Sequence, residues 1–169
     1  KDLFARICSF FERSSYSIMD AKIYTTRHGY ALDSFQINDP YSEKPQYRDM
    51  VGYIEYELGQ RLLQQTPLDA PAQGRVSRQL KHFPITPGVS IEPDERGAYK
   101  VLQIIAGDRP GLLSRVARCL VKYGINLYAA RINTLGERAE DVFLINGAAL
   151  DDAKTVVKLE SDLVQQLQG

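Results

Sequence analysis

The chain repeats itself. Leu3-Phe4-Ala5-Arg6-Ile7 aligns with Leu112-Leu113-Ser114-Arg115-Val116, 109 residues later. At the same spacing Ala21 meets Ala130, Ile23 meets Ile132 and Thr25 meets Thr134. Asp33-Ser34-Phe35-Gln36-Ile37-Asn38 then meets Asp141-Val142-Phe143-Leu144-Ile145-Asn146 at a spacing of 108. The single-residue change falls in the turn between the two blocks, where length changes are tolerated. One folding unit used twice therefore accounts for most of the 169 residues.

The second copy is the cleaner one. Tyr99 to Ala106 reads as a strand. Leu112, Leu113, Val116, Ala117, Leu120 and Val121 lie at helical spacing, and Gly124 suits the position just past that helix. Residues 125–135 and 139–146 read as strands joined by the turn Gly136-Glu137-Arg138. Asp151 is placed to cap a last helix with Val156, Val157, Leu163, Val164 and Leu167 on its apolar side. Strand, helix, strand, strand, helix is a split βαβ order. It predicts an α+β, ferredoxin-like unit whose antiparallel sheet carries helices on one face.

The first copy follows the same order from its helix onward. Leu3, Phe4, Ile7, Cys8 and Phe11 mark that helix, and Tyr16–Thr26 and Tyr30–Asn38 are strands about a turn at Arg27-His28-Gly29. After the loop from Asp39 to Lys44, Pro45 suits the first turn of a second helix with Met50, Val51, Ile54, Leu58 and Leu62 as its buried stripe. The expected division is a first unit at 1–66, lacking its first strand, a linker with edge strands at 67–97, and a second unit at 98–169. Leu80–Thr86 and Val89–Glu92 look strand-like, and Pro84 and Pro87 confine them to a sheet edge. Each unit is one strand short. Residues 80–92 can fill one vacancy, and residues outside this chain or another protomer the other. An open edge predicts association, including a homo-oligomer.

Composition removes several classes of function. Lys plus Arg equals Asp plus Glu at 21 each, without the basic excess of a general nucleic-acid binder. Cys8 and Cys119 are far apart in apolar helical patterns, so they read as buried thiols in a reducing compartment. His28 and His82 are isolated, and no zinc ligand set can be assembled by spacing. No run reaches membrane-spanning length and no signal peptide opens the chain, so the expectation is a soluble cytoplasmic protein with no membrane partner. The chain also starts without Met, like a piece of something longer.

One stretch carries chemistry. Gly107-Asp108-Arg109-Pro110-Gly111-Leu112-Leu113 joins an apolar strand to a helix, and free N–H groups at the helix start suit an anionic or zwitterionic small ligand. The plainer reading is that Asp108 only caps the helix.

Asp108-Arg109-Pro110-Gly111-Leu112-Leu113, followed by Gly124-Ile125-Asn126, resembles the ACT domain, an amino-acid-sensing module of split βαβ topology. The run from Ala130 to Phe143 resembles the last ACT domain of the bifunctional uridylyltransferase/uridylyl-removing enzymes, which act on signal protein PII. Lys1 to Ile7 and Asp20-Ala21-Lys22-Ile23 resemble the ACT domain before it. The resemblance implies a C-terminal regulatory region that senses glutamine and switches the two activities in nitrogen regulation. It places catalysis upstream, in a metal-dependent nucleotidyltransferase, with magnesium expected there, and a metal-dependent hydrolase. The implied partners are glutamine, those upstream domains and, through the parent, PII. No cofactor is expected in this chain.

On that reading Asp108 takes the ligand ammonium, the amides near Gly111 and Leu112 take its carboxylate, and Asn126 serves its amide, with Arg109 part of the same motif. In the first copy Asp2 stands where Gly111 stands in the second, which makes close backbone approach harder, so Asp2 and Ser17 are only secondary candidates. Three other readings compete. An acylphosphatase-like enzyme would use Arg109 and Asn133, but Pro110 removes an N–H such a loop needs. An RNA-binding sheet has Tyr99 and Tyr128 available, but lacks an aromatic-rich central strand and a basic rim. A ligand-free pairing module can coexist with sensing.

Overall fold

The computed structural model describes residues 2–26, 28–38, 47–64, 67–68, 70–71, 80 and 82–168. Its elements are α1 (Leu3–Arg13), β1 (Ser17–Thr25), β2 (Ala31–Asn38), α2 (Tyr47–Gln64), β3 (Gly88–Pro93), β4 (Lys100–Gly107), α3 (Leu112–Lys122), β5 (Asn126–Leu135), β6 (Arg138–Asn146), a short 3-10 turn (Ala148–Leu150) and α4 (Ala153–Gln168). The fold is α+β, consistent with two ferredoxin-like units. The expected Asp39–Lys44 loop and Pro45 helix start lie outside the described residues.

The two units do not build separate sheets. All six strands form one antiparallel sheet in the order β2-β1-β5-β6-β4-β3. The joint is β1 against β5, where Ala21 pairs with Ile132, Lys22 with Arg131 and Ile23 with Ala130. Lys22 and Arg131 are repeat equivalents and the repeat exchanges the two flanking pairs, so a pseudo-two-fold axis passes through the Lys22–Arg131 pair.

The repeat holds down to backbone detail. The β1 ladder is irregular between Ile18 and Asp20, and the β5 ladder between their equivalents Leu127 and Ala129. α1 closes with Tyr16 N–H donating to Phe11 O, and α3 with Ile125 N–H donating to Leu120 O, both at 2.9 Å. Positive φ falls at Asp2 and Ser15 in the first copy, and at Gly111 and Gly124 in the same places of the second. The second copy uses the residue that adopts this conformation without strain, and the first does not.

Apolar residues from α1 (Phe4, Cys8), α3 (Val116, Leu120) and α4 (Leu159, Leu163, Leu167) form one cluster with Ala21, Ile23, Leu102, Ile104, Ala130, Ile132, Phe143 and Ile145 from the strands. α2 adds Ile54 and Leu58 to a smaller cluster with Phe10, Phe11 and Phe35. Both cysteines are free and buried.

Several sequence expectations shift. Leu80 and His82 are helical rather than strand-like, and 84–87 carry no regular structure. Only Gly88–Pro93 forms the edge strand, and it fills the second unit's vacancy beside β4. That edge is partly covered, because Ile91 N–H donates to Glu160 Oε1 of α4 at 2.9 Å. Asp152, not Asp151, caps α4, its carboxylate accepting from Thr155 N–H at 3.0 Å. Val157, assigned to the buried side of that helix, is 64% exposed. Val51 likewise leaves the α2 stripe and is exposed.

Candidate functional site

β4 ends at Gly107, and Asp108 N–H donates to Glu137 O at 2.8 Å, pinning the bend against the β5–β6 turn. Gly111 occupies the N-cap position of α3 with φ 84° and no side chain to cap with. Asp108 is therefore not the cap. Its carboxylate instead accepts from the Arg109 backbone. Burial, then the nearby Glu137 charge, raises the Asp108 carboxyl above its usual range against that bond. Arg109 is lowered, first by burial and then by the neighbouring Arg115. Asp108, Arg109, Gly111 and Leu112 are thus brought together.

Asn126 is not with them. β4 runs up to the bend, α3 carries the chain back, and β5 starts at the opposite end of the sheet. Asn126 and Leu135 are the two ends of the 10-residue β5, nine steps and roughly 30 Å apart at about 3.3 Å per residue. The residue that reaches the bend's end of the joint is Ser17, because β1 runs antiparallel to β5 with Asp20 opposite Asn133.

Asn126 lines a different space. A cavity of about 620 Å³ lies at the junction of the two units, lined among others by Asp2, Leu3, Ala5, Asp33, Val121 and Asn126. The start of α1 opens into it, and Asp2 makes no side-chain cap bond there. So the candidates sort into two pseudo-equivalent ends: Asp108, Arg109, Gly111 and Leu112 with Ser17, and Asp2 with Asn126.

Two acids missing from the sequence candidates belong to these ends. Asp141 on β6 is 1% exposed. Its Oδ1 accepts from Asn133 N–H at 3.2 Å, and its Oδ2 meets no hydrogen-bond partner. Burial pushes its carboxyl up to about 7, with Asp108 adding to the rise. Asp33, its repeat equivalent, receives the same kind of backbone bond from Tyr24 and is likewise raised by burial. Asp33 faces the cavity; Asp141 is sealed. Each is an acid on a strand's inward, apolar side, recurring in both copies, and that recurrence was the available signal.

The other sheet face holds Tyr128 stacked on Tyr99 at 4.5 Å between centroids, with Tyr24 edge-on at 5.8 Å. These rings pack on one another within a single sheet. No group of three or more His, Cys, Asp or Glu able to hold a metal occurs among the described residues. No described helix is long and apolar enough to cross a membrane.

Against known proteins, the chain is 56% identical over 167 residues to a bifunctional uridylyltransferase/uridylyl-removing enzyme of Nitrosospira multiformis, covering 99% of this chain and 19% of that protein. It is 55% identical to the enzyme of the same description in Chromobacterium violaceum, over 99% of this chain and 20% of the relative. It is 54% identical to that of Cupriavidus pinatubonensis, again over 99% and 20%. The chain thus spans about one fifth of the length of the curated relatives it matches. No protein-family profile matches it, and neither does any solved structure.

Proposed function

We propose, from this whole-length kinship to one segment of the bifunctional uridylyltransferase/uridylyl-removing enzymes, that the chain is their amino-acid-sensing region. It binds glutamine where its two ACT-type units meet, and so biases uridylylation against deuridylylation of PII by catalytic domains elsewhere in the parent protein. Those domains, and the metal their chemistry needs, lie outside this chain.

The observation that carries the reading is the junction cavity. It combines the carboxylates of Asp2 and Asp33, the amide side chain of Asn126 and the start of a helix. A free amino acid needs those parts: anions for its ammonium, backbone N–H groups for its carboxylate, and an amide for a glutamine side chain. The bend at Asp108 offers a pseudo-equivalent helix start and acid, with Ser17 in the place of Asn126. A ligand held between the units touches both, so it favours one arrangement of the pair over another. A differential affinity of about 1–3 kcal/mol is enough for several-fold regulation. The first unit also carries exposed apolar side chains, Tyr30, Leu32, Tyr56 and Leu63 among them, which suit contact with the rest of the parent.

Calorimetric titration of the chain with glutamine tests this, with Asp108→Ala and Asn126→Ala in parallel. Binding lost in Asn126→Ala places the ligand in the cavity, and binding lost in Asp108→Ala places it at the bend. Wild-type chain that takes up no heat, and whose Tm responds to no amino acid, refutes sensing. It leaves the pairing role that the shared sheet already supports.

A further inference from the structure

The two ends of the junction are equivalent in the repeat but are not in the same state. We infer that Glu12 is an internal occupant of the bend: its carboxylate holds the start of α3, so an amino-acid ligand enters the Asp2–Asn126 cavity and is kept out of the bend. The inference rests on the sensing reading and says which of the two places serves.

Glu12 sits in the last turn of α1, where a negative charge opposes that helix's own dipole. It is placed for the neighbour instead. Its Oε1 accepts from Ser114 N–H at 3.1 Å. Ser114 is the third residue of α3, the position whose N–H a capping oxygen usually takes. Gly111 has no side chain to supply that oxygen, so the cap comes from the other unit. A ligand carboxylate arriving at the bend would compete for the same helix start.

At the opposite end the repeat replaces both partners. Glu12 becomes Val121, which can accept nothing, and Ser114 becomes Ala5. Both line the cavity. The acids beneath follow suit: Asp141 is sealed under the occupied end, and its equivalent Asp33 borders the open one. Of these exchanges, acid for valine is the one that removes the acceptor and so separates a filled end from an open one.

The test swaps the exchange. Wild-type chain is expected to bind one glutamine by calorimetry, Glu12→Ala two, and Val121→Glu none within tenfold of the wild-type affinity. The double variant should again bind one, now sensitive to Asp108→Ala. Glu12→Gln keeps an acceptor oxygen without the charge, and its Ser114 amide exchange should fall between those of wild type and Glu12→Ala. Amide exchange read by NMR on the free chain needs no ligand: Ser114 should exchange at least tenfold faster in Glu12→Ala and unchanged in Val121→Glu. Equal Ser114 exchange in wild type and Glu12→Ala overturns the internal occupant. Glutamine binding that none of these substitutions alters overturns the inequivalence while sparing the sensing reading. Absence of binding in every chain overturns the sensing reading and the admitted site with it, and the exchange data still decide whether Glu12 holds Ser114.

Discussion

Asp141 makes a quantitative prediction about stability and pH. Its carboxyl goes from an ordinary 3.8 to about 7 on folding, chiefly through burial. The folded chain therefore keeps a proton that the unfolded chain has already released between those two values. Where the folded state binds more protons, stability falls as pH rises. At about 1.4 kcal/mol per pH unit, the loss across the window is at most roughly 4 kcal/mol, and the curve is flat above it. Asp141→Asn keeps the acceptor for Asn133 N–H and removes the titration. Its fixed cost, an amide in a carboxyl's place, cancels when the two proteins are compared at several pH values. The measurement is urea unfolding from pH 4 to pH 8, followed by circular dichroism because the chain has no Trp, with m checked for constancy. The stability of Asp141→Asn minus that of wild type should grow by up to about 4 kcal/mol from the acid to the alkaline end. A difference that stays constant within about 0.5 kcal/mol would refute the claim that this acid is held neutral by burial.

Three further outcomes follow from the same structure. Ser15 holds φ 62° where the second copy has Gly124, so Ser15→Gly should raise stability by up to about 1 kcal/mol in urea unfolding. Leu163 is fully buried among strands and helices; Leu163→Ala should cost about 2–5 kcal/mol, and a smaller loss would mean α4 is not part of the cooperative core. Asp152, lowered by its bonds to Thr155, stabilises α4 only while ionised. Asp152→Ala should therefore lower Tm at neutral pH, with the deficit vanishing as pH falls through the folded carboxyl's depressed range.

Much of the fold was legible because the repeat fixes it twice over. The helix at Leu112 and the strand at Ile125 could be carried to the first copy, and Pro84 and Pro87 placed the following strand at an edge. Which edges meet was not legible. Periodicity says which face of a strand is buried, not what pairs beside it, so the β1–β5 joint had no local signal. The site was misjoined for a related reason. Asn126 follows Asp108 by eighteen residues in sequence, but the helix between them is a crossover that starts the next strand at the far end of the sheet. Asp33 and Asp141 were aligned with each other yet given no role, because strand alternation treats an acid as outward-facing. Here the acid lies inward, with one oxygen accepting from a neighbouring strand's amide.

If the chain senses an amino acid as proposed, duplication followed by loss at one copy lets it act as a lever. Two identical units about a two-fold axis would offer two identical ligand ends, and filling both would leave the pair symmetric. Glu12 against Val121, and Asp2 and Ser15 against Gly111 and Gly124, break that symmetry in a consistent direction. The second unit's helix start is capped by Glu12 of the first, and glycine holds its left-handed turns. The first carries both left-handed non-glycine residues found among the described residues and the open cavity beside its helix start. On that proposal, ligand binds at the copy whose backbone has strain to release, and the arrangement that relieves it is the one glutamine should stabilise. If glutamine lowers the protection of the Asp2–Phe4 amides from exchange rather than raising it, the response is being driven from the other unit.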